Sequence, residues 1–216
     1  MWLHVDGAFG LWAAASPSRC YLTHGIQQAD SLATDAHKWL NVPYDSGLVF
    51  VRNSQALVAA MSSTAAYLIE SDRREPFHYV PELSRRARGV EVWAALRSFG
   101  KKGLADLIEM NCRQAMRFGE RLEAAGYAVL NDVVLNQVLV SFGDSHTTDR
   151  IIRRVQEDGT CWCGGTQWQG QRAMRISVSS WRTTDEDIEL SVDAILRIAS
   201  EDTRKESANR GVHATR

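Results

Sequence analysis

The chain has 216 residues, with 25 basic and 26 acidic side chains and a formal net charge of −1. Hydrophobic residues make up 44% and charged residues 24%, the balance of a globular protein and not of a collagen-like, disordered or coiled-coil chain. Near-neutral charge, with Arg85, Arg86 and Arg88 as the one basic cluster, argues against nucleic acid or an anionic membrane as partner.

No apolar run approaches the ~20 residues that span a bilayer. The start, Met1-Trp2-Leu3-His4-Val5-Asp6, lacks the pattern of a secretory signal, so a cytoplasmic α/β protein is expected. Four cysteines (Cys20, Cys112, Cys161, Cys163) do not make a disulfide framework. The spacing in Cys161-Trp162-Cys163 is tighter than the usual metal knuckle, and no Cys/His pair stands close by to complete a site.

Taken in chain order, residues 2–6 read as a buried strand with an acid at its C-terminal end, and 29–34 and 47–52 as two more short strands. A short helix follows Asn53, through Leu57 to Met61. Residues 62–84 hold no periodicity and contain Pro76 and Pro81, so a long loop is expected, of the kind that serves as a lid. From Arg86 the pattern turns helical, with Val90, Trp93, Leu96 and Phe99 spaced for one face, interrupted at Gly100 and Gly103. A second helix carries Leu104, Leu107, Ile108, Ala115, Phe118 and Leu122 and ends near Gly126. Strands at 127–131 and 136–142 precede a helix over 148–157, and Met174, Ile176 and Val178 alternate with polar residues as in a half-buried strand. Thr183 and Glu186 form a capping-box pattern for a last helix, and residues after about 201 read as a frayed tail.

The segment Ser31-Leu-Ala-Thr-Asp35-Ala-His37-Lys38-Trp39-Leu40 sets a lysine on a turn just after a strand, beside His37 and an apolar pair. Such an amine can be partly desolvated and freed to attack a carbonyl. By itself the segment fits equally a solvated loop lysine beside a capping histidine. Asp6 adds weight: if the strands at 2–6 and 29–34 are parallel neighbours, Asp6 and Lys38 reach the carboxyl edge of one sheet, where open α/β sheets bind ligands. A carboxylate with a Schiff-base lysine is the pair that pyridoxal phosphate requires, the lysine for its aldehyde and the acid for its pyridine nitrogen. Alone, Asp6 also fits a strand-end acid capping a turn.

Trp2-Leu-His-Val-Asp6-Gly-Ala8-Phe-Gly followed by Asp35-Ala-His37-Lys38-Trp39-Leu40-Asn41-Val42-Pro43-Tyr44-Asp45-Ser46-Gly47 resembles the group II pyridoxal-phosphate-dependent decarboxylases, which act on aromatic amino acids, tyrosine, histidine and glutamate. The likeness continues through Ser84-Arg85-Arg86-Ala-Arg88, Val92-Trp93 and Leu96-Arg97 to Trp168-Gln169-Gly170 and Met174-Arg175-Ile176-Ser177-Val178-Ser179, covering about residues 2–200.

The resemblance implies an α/β fold: the C-terminal part of a fold-type I large domain over 1–84, with the lid at 62–84, then a linking helix and a small α/β domain over 85–200, and a tail from 201 to 216. It implies pyridoxal 5'-phosphate as cofactor, with Lys38 as the Schiff-base lysine, Asp6 on the pyridine nitrogen, Ala8 against the ring face and His37 beside the imine and phosphate region. Tyr67 falls where the family carries a lid tyrosine that reprotonates the substrate carbon. Relatives that form aldehydes by an oxidative route tend to have phenylalanine there, so Tyr67 favours plain decarboxylation; without the family it reads as a packing residue. A small-molecule L-amino acid, aromatic in preference, is the implied substrate, and a homodimer the implied assembly. The family's phosphate-gripping helix and ring-stacking residue have no counterpart in these 216 residues, so the chain is expected to be truncated and catalytically incomplete alone. A pyridoxal-phosphate aminotransferase or desulfurase of the same fold, and a non-catalytic interaction module, are the competing readings. The Asn41–Gly47 run and Tyr67 argue against the first. His4 and His24 are expected to have no chemical role.

Overall fold

The computed structural model describes residues 1–63, 65–68 and 73–213, with side chains as far as Arg204. Residues 64 and 69–72 of the expected lid, and 214–216 of the expected tail, lie outside the described residues. The chain divides into two compact units, Met1–Ala105 and Asp106–Arg216, with the division inside a long helix. Among the described residues no helix is long and apolar enough to cross a membrane.

In the first unit β1 (His4–Asp6) pairs in parallel with β2 (Ser31–Asp35), Asp6 lying opposite Ala33, and β3 (Gly47–Val51) pairs antiparallel with β2. β1 starts later than the apolar pattern predicts because the Trp2 indole turns to donate to Ser31 Oγ at 2.9 Å. Gly7 follows Asp6 at once, and a Cβ there would lie 2.7 Å from the Leu11 Cβ. Only glycine lets the chain turn so tightly off the strand while its N–H still reaches the Ala33 carbonyl at 2.8 Å. Three short 3-10 turns, Gly10–Ala15, Cys20–Thr23 and Ile26–Gln28, lead back to β2. Asn53 caps α1 (Ser54–Met61), its side-chain oxygen accepting from Gln55 and Ala56 N–H groups. The described part of 62–84 holds a turn at Ala65–Leu68 and a 3-10 turn at Pro76–Tyr79.

Helix α2 (Arg88–Ala124) runs through both interrupting glycines, with a kink at Gly100, whose φ of 61° is non-helical; Gly103 stays in the helix. The apolar face of its first stretch is not the one the spacing predicts: Val90, Trp93 and Leu96 are exposed, while Val92, Ala95 and Phe99 pack on buried Ala36, Leu40 and Val42. A helix this short between Arg88 and the kink carries two overlapping apolar stripes, and packing against the turn after β2 selects one of them.

The second unit is a four-stranded sheet in the order β4 (Ala128–Val129), β5 (Gln137–Ser141), β7 (Gln171–Ser177), β6 (Gly164–Trp168), paired antiparallel throughout. Its core joins Ala115, Phe118 and Leu122 of α2 to Ile151, Ile152 and Val155 of α3 (Ser145–Asp158) and Ile188, Val192 and Ile195 of α4 (Asp185–His213). α3 starts earlier than its apolar pattern because Asp144 caps it, accepting from the Thr147 N–H at 2.7 Å. β6 is an added element: its glycines and polar residues give no apolar alternation, yet Gln169 and Gly170, both at positive φ, close it onto β7 in a tight hairpin.

Two features of α4 differ from expectation. The reciprocal cap is made one residue later, by Thr184 and Asp187: the Asp187 N–H donates to Thr184 Oγ1, and the Asp187 carboxylate accepts from the Thr184 N–H. The helix also continues to His213, past the expected fraying at 201. At the start of this stretch buried Asp202 accepts from Arg150 Nη2 at 2.5 Å and lies 3.5 Å from Arg154 Nη1. Those hydrogen bonds from Arg150 hold the Asp202 carboxyl below its ordinary value of 3.8. Its stabilising contribution is therefore complete above the unfolded-state value and is lost as pH falls through the lowered folded-state value. Asp202→Asn is expected to destabilise the protein by about 1–3 kcal/mol at neutral pH and to flatten the acid limb of its melting temperature against pH, read by circular dichroism.

Candidate active site

The parallel pairing of β1 with β2 makes the carboxyl edge that the sequence requires. Asp6 closes β1 and Asp35 closes β2, with Lys38 on the turn beyond. The Asp6 side chain is exposed, and its Oδ1 accepts the Ala8 N–H at 3.1 Å, which ties the two residues into one turn. Thr34 anchors the same turn from β2, donating its buried hydroxyl to the Gly7 carbonyl at 2.9 Å.

Lys38 is held by a partner that sequence reasoning passed over. Its Nζ lies 2.7 Å from Asp35 Oδ2, and the lysine side chain is 34% exposed. The same ammonium lies 5.5 Å from the centre of the Phe9 ring, which meets buried Trp39 edge-on at 6.0 Å. The lysine is therefore half-sheltered over an aromatic floor and ion-paired, a more defined setting than a solvated loop lysine. The signal for Asp35 was present as an acid three residues before the lysine, the spacing at which side chains on one turn meet.

His37 is fixed on the other side. The buried Ser46 backbone N–H donates to His37 Nδ1 at 3.0 Å, and the Ser46 carbonyl accepts from the Ala36 N–H at 2.9 Å. Nδ1 also lies 3.0 Å from the Ser46 carbonyl oxygen, so the backbone of this one residue brackets the ring nitrogen. The imidazole packs on the Tyr44 ring at 4.1 Å between centres. Arg88 holds the neighbouring Asp45 by its backbone carbonyl and its carboxylate, at 2.7 and 2.8 Å, and that hydrogen bond draws the Asp45 carboxyl below its ordinary range. The run Asn41–Gly47 thus acts as the strap that orients His37. Tyr67 stands on a separate turn, Ala65–Leu68, closed by a 2.9 Å backbone hydrogen bond, with its ring 76% exposed.

The structure thus groups Asp6 with Ala8, and His37 with Lys38 and Asp35. An amine for an aldehyde, a carboxylate for a pyridine nitrogen and a small methyl residue beside it, all at one sheet edge, are a donor set that fits pyridoxal phosphate. The comparisons with known proteins agree. The sequence model of the pyridoxal-dependent decarboxylase conserved domain matches residues 1–143. A histidine decarboxylase of Drosophila melanogaster is 32% identical over 206 residues, 93% of this chain and 24% of the relative. An aromatic-L-amino-acid decarboxylase of Bacillus atrophaeus is 29% identical over 87% of this chain and 42% of the relative. Among solved structures, Oryza sativa TDC with PLP and tryptamine superposes with a TM-score of 0.87 at 19% identity, over 93% of this chain and 44% of that one. Rhodiola rosea 4-hydroxyphenylacetaldehyde synthase superposes with a TM-score of 0.78 at 25% identity, over 95% and 43%.

The architecture is that of the fold-type I pyridoxal phosphate enzymes, an α/β fold. The chain belongs to the pyridoxal-dependent decarboxylase family, whose cofactor is pyridoxal 5'-phosphate, and spans between about a quarter and a half of the length of the relatives it matches.

Proposed function

We propose that this chain carries the lysine-bearing part of a pyridoxal-phosphate-dependent carboxy-lyase that removes the α-carboxylate of an aromatic L-amino acid to give an amine. The observation that carries the reading is the carboxyl edge of the β1–β2 pair, where Asp6 and the Asp35–Lys38 pair stand on adjacent parallel strands. Pyridoxal phosphate, when bound, supplies an aldehyde for the substrate amine and a ring that accepts the electrons released with carbon dioxide. Lys38 would hold the aldehyde end of the cofactor, its amine kept in place by Asp35. Asp6, at the end of β1, would hold the pyridine nitrogen and its proton. Ala8 presents a small side chain to the ring face, leaving room for a flat group. His37, held through Nδ1 by the Ser46 backbone, would stand beside Lys38 at the imine and phosphate region. Tyr67 delivers a proton to the substrate α-carbon from its turn, and closing that segment excludes water at the moment of transfer.

Aromatic substrates are supported by the relatives named as aromatic-L-amino-acid and histidine decarboxylases. The family match favours decarboxylation over amino transfer, which needs a keto-acid acceptor. A homodimer, in which the Tyr67 segment serves the partner's site, completes the proposal. The test completes the chain with the part of the family fold that its relatives carry outside the matched region, offers it a panel of L-tryptophan, L-tyrosine, L-histidine and L-glutamate with pyridoxal phosphate, and measures amine and carbon dioxide; the chain alone is expected to release no more than free cofactor does. Equal release of both from an aromatic substrate, without a keto acid, is expected; release that depends on a keto acid would refute the reading. Tyr67→Phe is expected to cut amine yield by about 10–100-fold, the range for losing a positioned proton donor, while aldehyde and oxygen consumption rise. Unchanged amine yield would remove Tyr67 from the mechanism.

A further inference from the structure

Cys161 and Cys163 lie in the second unit and take no part in the chemistry proposed for Lys38. They lie just ahead of β6, where both pack on the core of the second unit while Trp162 between them is 78% exposed. Their depths differ. Cys163 is buried at 4% exposure, with its carbonyl accepting from Gln156 Nε2 at 2.7 Å, whereas Cys161 is only partly covered. The two thiols hydrogen-bond each other. That bond is the main cause holding the Cys161 thiol below its ordinary range, against burial and the nearby Asp158 charge. It is also the main cause, ahead of burial, that pushes Cys163 up. One sulfur is therefore reachable, and the second lies covered in the core two residues on.

We propose that Cys161 and Cys163 are a reversible dithiol site that a low-molecular-weight disulfide oxidises to an intramolecular disulfide. The Cys161 thiolate attacks one sulfur of the oxidant, its S–S bond breaks, and one oxidant thiolate leaves. Cys163 then attacks Cys161 Sγ in the mixed disulfide, gives up its proton and expels the second oxidant sulfur as a thiol. The two protein thiols are oxidised by two electrons and the one oxidant disulfide is reduced to two thiols. The short loop between the cysteines makes the product easily reduced, so the site cycles instead of acting as a structural staple.

The experiment treats the full chain with oxidised glutathione, quenches with acid, alkylates the denatured protein and maps the peptides by mass. The expected result is joint loss of alkylation at Cys161 and Cys163 and a peptide lighter by two hydrogens, reversed by dithiothreitol, with buried Cys112 still alkylated. Cys163→Ser is expected to retain a glutathione adduct on Cys161, and Cys161→Ser to leave Cys163 fully alkylated because it is covered. A stable glutathione adduct on the wild-type pair overturns the proposal. So does oxidation no faster than at the partly exposed Cys20, or oxidation of Cys163 in Cys161→Ser.

Discussion

Lys38→Ala in the completed protein is expected to lower amine release more than about 10³-fold, because it removes both the anchor for the reacting carbonyl and the amine that exchanges with substrate. Lys38→Arg should fail to the same extent. It keeps the positive charge and a partner for Asp35, so it separates the role of the charge from that of a condensable amine. Neither change should cost much stability. The side chain is one-third exposed and its ion pair sits near the surface, which places the loss within about 0.5–1 kcal/mol. A circular dichroism melt alongside the assay for amine distinguishes lost chemistry from lost fold. A variant that retained activity while melting normally would remove Lys38 from the site.

The largest expected stability effect lies in the other unit. Leu122 is fully buried where α2 meets the four-stranded sheet, α3 and α4, and truncating it leaves a cavity walled by rigid elements. Leu122→Ala is expected to cost about 3–5 kcal/mol, a large share of the roughly 5–15 kcal/mol by which domains are stable. Leu190→Ala, on the exposed side of α4, should stay within about 0.5 kcal/mol. Urea titration followed by circular dichroism reads both: the midpoint of the Asp106–Arg216 transition should fall for Leu122→Ala without a change in slope. An equal fall for both variants would mean that burial does not set the stability of this unit.

The elements with one clear apolar stripe were legible in the sequence. The second half of α2 buries Leu107, Ile108, Ala115, Phe118 and Leu122 as their spacing requires, and β5 and β7 stand within a few residues of their apolar runs. Where two stripes compete, as in Arg88–Phe99, tertiary packing decides, and the spacing alone chose Val90, Trp93 and Leu96 over Val92 and Ala95. β6 escaped notice because its pairing with β7 is made by backbone and a tight turn and not by apolar side chains. Past residue 201, Arg150 and Arg154 of α3 reach Asp202 of α4, a long-range contact that no local period reports.

For the site, the sequence supplied two short strands and a lysine just past the second, with parallel pairing as a condition, and the structure meets that condition. The immediate surroundings of the lysine did not follow. Asp35 binds the amine, Ser46 fixes His37, Thr34 holds the Gly7 turn and Arg88 grips Asp45, and each contact depends on how the turn after β2 folds back on itself. Polar residues in a loop carry no period, so their partners emerge only with the fold.

The account rests on Lys38 being the residue that takes pyridoxal phosphate, and borohydride reduction tests this directly because few amines compete. The other lysines are Lys101, Lys102 and Lys205. The protein is incubated with pyridoxal phosphate, reduced, digested and mapped by mass. One stoichiometric adduct on Lys38 is the predicted result. Label spread over Lys101, Lys102, Lys205 and the N-terminus, with Lys38 no more modified than they are, would contradict it.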